Sequence, residues 1–214
     1  MRVGILGTGD VGRALGTGFA KKGHEVKMGS RDAQNPKLVA FVKQAGPNAS
    51  GGTFAEAAAF GEVGVLATLW SGTESALKLA GAKNLAGKVV MDATNPLVFA
   101  PGAPPALERG WNDSAGEQVQ RWLPDAKVVK VYNIVGNSLM VDPVIPGGPP
   151  DMFICGNDAG AKATVTKLCA DFGWPTVDIG GIEGSRLLEP LCILWVLYGM
   201  KTGGWNHAFK MLHK

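Results

Sequence analysis

Short, mainly apolar segments alternate along the chain with longer segments whose apolar residues recur every three to four positions. Met1–Leu6 has no polar face, which is typical of a strand that helices cover on both sides. The spacing of Val11, Leu15 and Phe19 predicts a helix over Val11–Lys22. Because this alternation continues to the C-terminus, it predicts an α/β fold with a doubly wound parallel sheet and right-handed crossovers.

The same pattern places the other elements. The further predicted strands are Glu25–Met28, Val63–Thr68, Val89–Asp92, Lys127–Val131, Asp151–Cys155 and Pro175–Asp178. The further predicted helices are Pro36–Gln44, Thr53–Phe60, Glu74–Leu79, Ser114–Leu123, Ala159–Phe172 and Ser185–Met200. Two segments rich in Pro and Gly, Asn95–Pro105 and Val141–Pro150, are predicted to be loops.

Composition narrows the class of protein. The 214 residues are 46% hydrophobic, and the net charge of +3 is too small and scattered to indicate nucleic-acid binding. The longest apolar run, Leu191–Met200, is too short to span a bilayer, and Val3–Leu6 is too short for a signal peptide. Cys155, Cys169 and Cys192 lack zinc-site spacing and lie in apolar segments. We therefore expect a cytoplasmic protein with no metal site and no membrane partner.

A glycine-rich motif, Gly7-Thr8-Gly9-Asp10-Val11-Gly12, follows the first predicted strand and opens the first predicted helix. The three glycines suit, in order, a tight turn, close approach of the backbone to a pyrophosphate, and packing of helix on strand. The N–H groups of the helix N-terminus then hold the anion. The motif predicts a Rossmann dinucleotide-binding site.

The end of the second predicted strand identifies the nucleotide. It reads Gly29-Ser30-Arg31-Asp32, where an NAD-specific site places an acid for the ribose hydroxyls. A serine hydroxyl and a guanidinium instead suit a 2′-phosphate, and Lys37 adds positive charge downstream. The motif therefore predicts NADP(H), while Asp32 keeps open a direct contact with the ribose.

Other candidate contacts follow from the carboxyl ends of the strands, where ligands of such sheets bind. Those ends read Thr68-Leu69-Trp70, Asp92–Pro96, Tyr132–Ile134 and Cys155–Asn157. The expected contacts of the nicotinamide half are Thr68, Trp70, Thr94 and Asn95. Asn133 and the loop Val135–Met140 are expected to form the far wall, where a second substrate would stack. For each residue taken alone, a turn or capping role explains it equally well.

No proton donor is evident at this predicted edge. His24 precedes the second strand, at the opposite end of the sheet, and His207 and His213 lie in the tail. Tyr132 is the one tyrosine near the edge, without a Tyr-x-x-x-Lys motif. We therefore predict no catalytic side chain. Hydride transfer between two cofactor-like rings depends on distance and stacking more than on acid–base groups, so it is the favoured reaction.

Five segments carry a resemblance to a known family: MRVGILGTGDVGRALG, GSRD, DATNP, KVVKVYNIVG and GSRLLEPLCILW. Together they resemble the NADPH-dependent deazaflavin (coenzyme F-420) reductases, and are similar to the cytosolic oxidoreductase domain of STEAP metalloreductases. The resemblance implies a Rossmann domain, a small C-terminal α/β part, and a flavin or deazaflavin stacked on the nicotinamide. The cofactor contacts it implies are Thr8, Gly9, Asp10, Val11, Ser30, Arg31, Thr68, Leu69, Asn95 and Asn133.

The last predicted helix is apolar around nearly its whole circumference. Its apolar residues are Leu187, Leu188, Leu191, Cys192, Ile193, Leu194, Trp195, Val196 and Leu197. A helix without a polar face must be buried, and a small core covers only part of it, so we predict a homodimer seam. Full burial within the monomer is the alternative. We expect an NADP-binding domain over 1–140, and a C-terminal part over 141–214 that completes the acceptor site and the seam.

Two other functions remain open. A reductase of a small imine or carbonyl would share the Rossmann domain, but such enzymes append a larger all-helical domain than this chain carries. A non-enzymatic NADP-binding sensor would explain the missing acid–base residues.

Overall fold

The structure, a computed structural model, describes residues 1–212. The strands are β1 (Arg2–Leu6), β2 (Glu25–Ser30), β3 (Ala49–Thr53), β4 (Val63–Leu66), β5 (Val89–Asp92), β6 (Leu97–Val98), β7 (Ala106–Leu107), β8 (Lys127–Lys130), β9 (Met152–Gly156) and β10 (Thr176–Asp178). The helices are α1 (Asp10–Lys21), α2 (Pro36–Ala45), α3 (Phe54–Phe60), α4 (Trp70–Ala80), α5 (Ala82–Leu85), α6 (Ala115–Trp122), α7 (Ala159–Asp171) and α8 (Ser185–Thr202). Short 3-10 turns occupy Asn137–Leu139 and Ile182–Gly184.

Eight strands form one sheet in the order β10-β9-β8-β5-β4-β1-β2-β3. The prediction of a parallel, doubly wound sheet is confirmed for β1 to β5 and β8. It is wrong for β9, which pairs antiparallel with β8. It is also wrong for β10, which is parallel to β9 and therefore antiparallel to the other strands of the sheet. The reason is the connection between β8 and β9, which contains no crossover helix of the kind that returns a strand in parallel. Consequently Asn157, expected at the cofactor edge, lies at the opposite edge.

Both faces of the sheet are covered, which explains why Val3–Leu6 of β1 and all of β4 are apolar. Ile5 packs into one core with Leu15 and Phe19 of α1, whereas its neighbour Leu6 packs into a second core with Leu77 of α4 and Val119 of α6. Successive side chains of a strand point to opposite faces, so a strand between two helical layers needs apolar residues at every position.

Some elements differ from the predictions. β3 was not predicted, because Gly51 and Gly52 have low strand propensity and give no apolar signal. α4 begins at Trp70, before the predicted Glu74. The predicted loop Asn95–Pro105 contains β6, which pairs with β7 in a hairpin too short to produce a periodic pattern. Thr53 and Glu56 form a capping box at the start of α3, whereas at the start of α6 Glu117 accepts from the Ser114 hydroxyl.

The last helix, α8, is long as predicted but is not wholly apolar. Its Glu189 is buried, and its Arg186 forms an ion pair with Glu117 of α6. The alternative of full burial within the monomer is wrong, because Leu187 and Leu194 are 71% and 56% exposed. Within residues 1–212, no helix has the length and apolarity that crossing a bilayer requires.

Candidate functional site

The three glycines of the turn between β1 and α1 meet different surroundings. Gly7 has φ +132°, and a Cβ there would lie 2.3 Å from the Ala67 carbonyl oxygen. A Cβ on Gly12 would lie 2.3 Å from the Gly7 carbonyl oxygen. A Cβ on Gly9 would meet no protein atom within 4 Å. The fold therefore requires Gly7 and Gly12, whereas Gly9 leaves open space against the backbone, which suits a closely approaching ligand.

The N-terminus of α1 is suited to an anion. Gly9 is its N-cap residue, and no side chain caps the helix. The first N–H groups of a helix have no intrahelical partner, and the helix dipole adds partial positive charge. The carboxylate of Asp10 forms an ion pair with Arg13 on the helix surface. Thr8 and Val11 flank the turn and are both half-buried.

The predicted 2′-phosphate residues lie beside this turn. The Gly7 N–H donates to the Gly29 carbonyl at 3.3 Å, which joins the glycine turn to the end of β2. Ser30 is the last residue of β2, while Arg31 and Lys37 are exposed. In the described part of the chain no carboxylate lies within ion-pair distance of either cation. The result is unneutralised positive charge next to a helix N-terminus.

Asp32, the alternative candidate for a ribose contact, forms hydrogen bonds with the residues that follow it in the chain. Its Oδ1 accepts a hydrogen bond from the Gln34 N–H at 2.8 Å, and its carbonyl accepts from the Asn35 N–H at 3.0 Å. Asn35 in turn caps α2 by accepting from the Lys37 N–H. Asp32 therefore shapes the turn that leads into α2.

The three predicted contact residues that follow β4 have different surroundings. The Thr68 hydroxyl is 2.8 Å from the Thr73 hydroxyl, which fixes the start of α4. Leu69 is 84% exposed. Trp70 stacks on Trp122 of α6, with ring centroids 5.5 Å apart, so its ring contributes to the packing of α4 on α6.

A buried ion cluster, which we call the ion triad, lies at the ends of β5 and β8. The Lys130 Nζ is 2.8 Å from Asp92 Oδ2 and 3.1 Å from Glu189 Oε1, and all three side chains are buried. The same Nζ donates to the Thr94 carbonyl at 2.9 Å. Burial lowers the pKa of Lys130, but the charges of Asp92 and Glu189 outweigh it, so the pKa lies above its ordinary value.

Two asparagines connect the ends of β5 and β8 above this triad. The Asn95 Nδ2 donates to the Asn133 carbonyl at 2.7 Å, and the Asn133 Nδ2 donates to Asn95 Oδ1 at 3.0 Å. The Asn133 Nδ2 also donates to the Leu188 carbonyl of α8 at 2.9 Å. Asn133 is only 3% exposed, and its Oδ1 has no protein partner among the described residues.

Sequence reasoning missed Lys130 and Glu189. Lys130 lies in the apolar run VVKV and Glu189 lies in a helix judged from its leucines. The available signal was a charged residue inside each apolar segment, since such residues are almost never fully buried unless paired. The partner of each charge, however, depends on the tertiary fold.

The loop predicted as the far wall reaches the glycine turn. Asn137 and Ser138 line a groove of about 580 Å³ together with Asp10 and Arg13 of α1. At the other end of the loop, a Cβ on Gly136 would lie 2.9 Å from the Trp195 ring of α8. The loop therefore bridges α1 and α8.

The histidines and Tyr132 are not arranged as proton donors. His24 packs on Phe19 at the opposite edge of the sheet, and His207 stacks on Trp195 at 4.7 Å. His213 lies outside the described residues. Tyr132 is buried, with φ +60°, and burial raises the pKa of its hydroxyl well above the ordinary value. The part of the chain that is described contains no group of three His, Cys, Asp or Glu side chains able to hold a metal.

Comparisons with known proteins agree with this geometry. The family described as NADP oxidoreductase coenzyme F420-dependent matches residues 2–96. The chain is 30% identical over 222 residues to an F420-dependent NADP reductase of Methanothermobacter marburgensis, with 94% of both chains covered. An Arthrobacter sp. FB24 protein, whose crystal structure is described as that of a proposed F420-dependent NADP reductase, is 40% identical, with a TM-score of 0.92 over 99% of both chains.

The chain belongs to the coenzyme F420-dependent NADP oxidoreductase family. The resemblance seen in the sequence is thereby confirmed, and the protein is an NADP-dependent oxidoreductase with a Rossmann-like fold.

Two other proteins are similar to this NADP oxidoreductase over a smaller share of their own length. It is 30% identical over 195 residues to rat metalloreductase STEAP3, but it spans only 36% of that protein's length. A reductive aminase of Aspergillus terreus, in complex with NADPH, has a TM-score of 0.66 at 21% identity, with 62% of that chain covered. At this identity the second similarity shows a shared fold alone.

Proposed function

We propose that this NADP oxidoreductase transfers a hydride between NADPH and a flavin or deazaflavin ring. When bound, NADPH supplies the hydride from its nicotinamide. The protein's part is to hold the two rings in contact and to exclude water, which is the main requirement of such a transfer. The names of the methanogen relatives, F420-dependent NADP reductases, support a deazaflavin as the first acceptor to test.

The glycine turn and the end of β2 would hold the adenosine half of the nucleotide. The open space at Gly9 admits a pyrophosphate against the N-terminus of α1. Arg31 and Lys37 supply exposed cations for the 2′-phosphate, and the Ser30 hydroxyl adds a hydrogen bond. NADH lacks that phosphate, so it would leave both cations without a partner.

Asn133 is proposed to hold the nicotinamide half. Its Oδ1 is a buried acceptor without a protein partner among the described residues, and such atoms are rare because an unmade hydrogen bond is costly. The nicotinamide carboxamide carries an NH₂ donor that would fill this position. The Asn133 Nδ2 is already committed to Asn95 and Leu188, which fixes the orientation of the side-chain amide.

The observation that carries the choice of reaction is the burial of the acid–base groups at the ends of β5 and β8. Within residues 1–212, the titratable side chains at the ends of β5 and β8 are Asp92, Lys130 and Tyr132, all buried. Lys130 is held by two carboxylates, and the raised pKa of Tyr132 keeps its hydroxyl protonated. Imine or carbonyl reduction needs a positioned proton donor, whereas a flavin-like ring delocalises the charge that the hydride brings.

The acceptor ring is proposed to contact Leu69 and Trp111. Trp111 is 94% exposed and has φ +58°, in a turn where the Asn112 N–H donates to the Gly110 carbonyl at 2.8 Å. Large aromatic residues rarely adopt this backbone conformation, and strain of this kind is often found at ligand sites. The Arg109 guanidinium lies 5.9 Å from the ring of Trp70, the residue that follows Leu69 in the chain.

The decisive experiment is a single-turnover reaction in a stopped-flow instrument. NADPH-loaded enzyme is mixed with FMN, riboflavin or 8-hydroxy-5-deazaflavin, and separately with a cyclic imine and a ketone. We expect NADPH to be oxidised only by the ring acceptors, with a primary isotope effect when the transferred hydrogen is deuterium. NADH in place of NADPH is the control for cofactor selection.

Two results would contradict this function in different ways. Turnover of the imine or ketone would establish the small-substrate reductase instead. Tight NADPH binding with no oxidation by any compound would establish the sensor.

A homodimer through α8 is also proposed. The exposed apolar residues Leu187, Leu194, Leu197 and Tyr198 recur at helical spacing and so form one face of α8. A second copy of the chain would cover this face in an isologous interface. Leu194→Lys is expected to convert a dimer to a monomer in sedimentation velocity, whereas Lys201→Glu at the end of the helix leaves the mass unchanged. A monomeric parent protein would contradict the proposal.

A cytoplasmic location is proposed from the thiols. Cys155, Cys169 and Cys192 are free and buried, as suits a reducing compartment. Burial raises the pKa of Cys155 to about 11 and that of Cys169 to about 12, so neither thiol is reactive at neutral pH. Cell fractionation of the host organism tests the location, and recovery in the exported fraction would contradict it.

A further inference from the structure

The ion triad occupies an unusual place for a structural cluster. Asp92 ends β5 and Lys130 ends β8, so the cluster lies at the sheet edge where the nicotinamide is proposed to bind. Replacing a buried ion cluster with apolar side chains is often neutral or stabilising, so stability alone accounts poorly for it. The position of the ion triad is better explained by the neighbouring groups that it holds in place.

The hydrogen bonds of Lys130 and Asp92 lead to the segment that follows β5. Lys130 Nζ binds the Thr94 carbonyl, and Asp92 Oδ1 accepts from both the Thr94 N–H at 2.9 Å and its hydroxyl at 2.7 Å. The next residue, Asn95, is fixed by Asn133. The triad therefore determines the backbone position of the segment that presents Asn95.

Glu189 connects this edge to two helices. Its Oε2 accepts from the Ala115 N–H and its Oε1 from the Gly116 N–H, both at 3.0 Å, at the N-terminus of α6. Its Oε1 also contacts Lys130. The preceding residue, Leu188, gives its carbonyl to Asn133. Two consecutive residues of α8 therefore hold the asparagines. Leu188 binds Asn133 directly, and Glu189 acts on Asn95 through Lys130 and Thr94.

We propose that Glu189 is a positioning residue for hydride transfer, acting through Lys130 and the Thr94 carbonyl to fix Asn95 and Asn133 against the nicotinamide. This inference rests on the proposed function. Glu189 contacts neither nucleotide nor acceptor itself. A displacement of about 1 Å at a reacting centre can slow a reaction by up to about a hundredfold, so loss of this support should slow the hydride step.

Glu189→Gln is the direct test. It keeps the length of the side chain but removes the charge and turns an amide NH₂ toward Lys130 or the α6 N–H groups. We expect the single-turnover hydride rate to fall about tenfold, while the NADPH dissociation constant changes less than about threefold. Nucleotide binding is spared because the phosphates are held at the glycine turn and the end of β2.

Glu117→Gln is the matched control. Glu117 also links α6 to α8, through Arg186, but it does not reach Lys130. If Glu189 acted only by docking α8 on α6, both variants would slow hydride transfer equally. We expect the Glu117 variant to keep the parent rate. Equal rates in the two variants, or parallel loss of NADPH binding and hydride transfer in Glu189→Gln, would overturn the proposal.

Glu189→Asp covers the case in which the glutamine variant does not fold. It keeps the charge but is too short to reach Lys130 and both N–H groups together. A folded Glu189→Asp protein with a slowed hydride step supports the proposal, and the parent rate overturns it.

A second readout does not depend on turnover. In NMR spectra of NADP-bound protein, the side-chain amide signals of Asn95 and Asn133 should shift in Glu189→Gln and stay unchanged in Glu117→Gln. If no ring acceptor oxidised NADPH bound to the parent protein, the proposed function would be wrong. These signals would still show whether Glu189 positions the side chains of Asn95 and Asn133. Unshifted signals would overturn it.

Discussion

The two halves of the proposed nucleotide site are built on opposite principles. At the adenosine half, Gly9 borders open space and Arg31 and Lys37 are exposed cations without an ion-pair partner in the described chain. At the nicotinamide half, Lys130 and Asn133 are buried and held by several hydrogen bonds. The first half is left incomplete until an anion binds, whereas the second is assembled before any ligand arrives.

This difference separates affinity from geometry. Exposed cations and free N–H groups suit selective binding of a phosphorylated nucleotide, since charge-assisted hydrogen bonds to phosphate are strong. A buried, cross-linked edge suits a reaction that depends on the placement of two rings. Mutations in the adenosine half should therefore change binding constants, and mutations in the nicotinamide half should change stability or the chemical step.

The largest effect is expected from Lys130→Met. It leaves the carboxylates of Asp92 and Glu189 buried without a cation, which should cost about 3–5 kcal/mol of unfolding free energy. Chemical denaturation measures this cost. Lys78→Met, which breaks the exposed pair with Glu74, is the control and should change stability by less than about 1 kcal/mol. A Lys130 variant as stable as its control would show that the buried half is not built on this cluster.

Gly9→Ala should come next. The new methyl group meets no protein atom, so the unfolding free energy should change by about 1 kcal/mol at most, the usual effect of alanine at an N-cap. It would occupy the space left for the pyrophosphate, and NADP binding should weaken about a hundredfold, or about 2.8 kcal/mol. Calorimetric titration measures this loss. Unchanged binding would mean that the nucleotide does not lie at this turn.

Arg31→Ala is expected to weaken NADP binding about ten- to a hundredfold, and to leave NAD binding nearly unchanged, because a charge-assisted hydrogen bond contributes roughly 1.5–3 kcal/mol. Fluorescence titration with both nucleotides measures the ratio. Lys43→Ala, at the other end of α2, is the control for a general loss of positive charge. Equal losses for NADP and NAD would remove the phosphate assignment.

Trp111→Ala should act on the acceptor alone. Loss of a stacking surface worth about 0.5–1.5 kcal/mol should raise the acceptor KM roughly two- to tenfold and leave the KM for NADPH unchanged. Trp111→Phe should restore most of the affinity. If the alanine variant changed the dimer equilibrium and not the acceptor KM, Trp111 would be an interface residue.

The smallest effect is expected from Lys37→Ala. Its charge is exposed and screened, so NADP binding should weaken only about threefold in low salt and less in high salt. Titration at two salt concentrations measures both values. A loss as large as that of Arg31→Ala would make Lys37 an equal phosphate ligand.

The sequence was informative about the adenosine half and much less so about the nicotinamide half. The glycine motif and Ser30-Arg31 are local, since each role follows from neighbours in the chain, and the structure places both motifs together. Lys130 and Glu189 lie far apart in sequence, and nothing local identifies either as the partner of the other. Asn95 and Asn133 could be chosen as strand ends, but their mutual hydrogen bonds follow only from the order of the strands.

The reversed direction of β9 was unpredictable for a related reason. Apolar periodicity shows that Met152–Gly156 is a strand but carries no direction, which depends on the connection before it. That connection, residues 131–151, includes no crossover helix. Trp111 was likewise overlooked, because exposure and a positive φ are properties of the folded turn.

The antiparallel entry into β9 has a consequence for evolution and engineering. A parallel strand would force the preceding chain back across the whole sheet, with a helix packed against it. Here residues 131–151 leave and return at the same edge of the sheet, where the nicotinamide is proposed to bind, so the length of this connection is not set by the width of the sheet. Lengthening such a span costs little, since closure entropy grows only logarithmically. Redesign for a different redox dye can therefore begin with residues 131–151 and leave the glycine turn and the end of β2 unchanged.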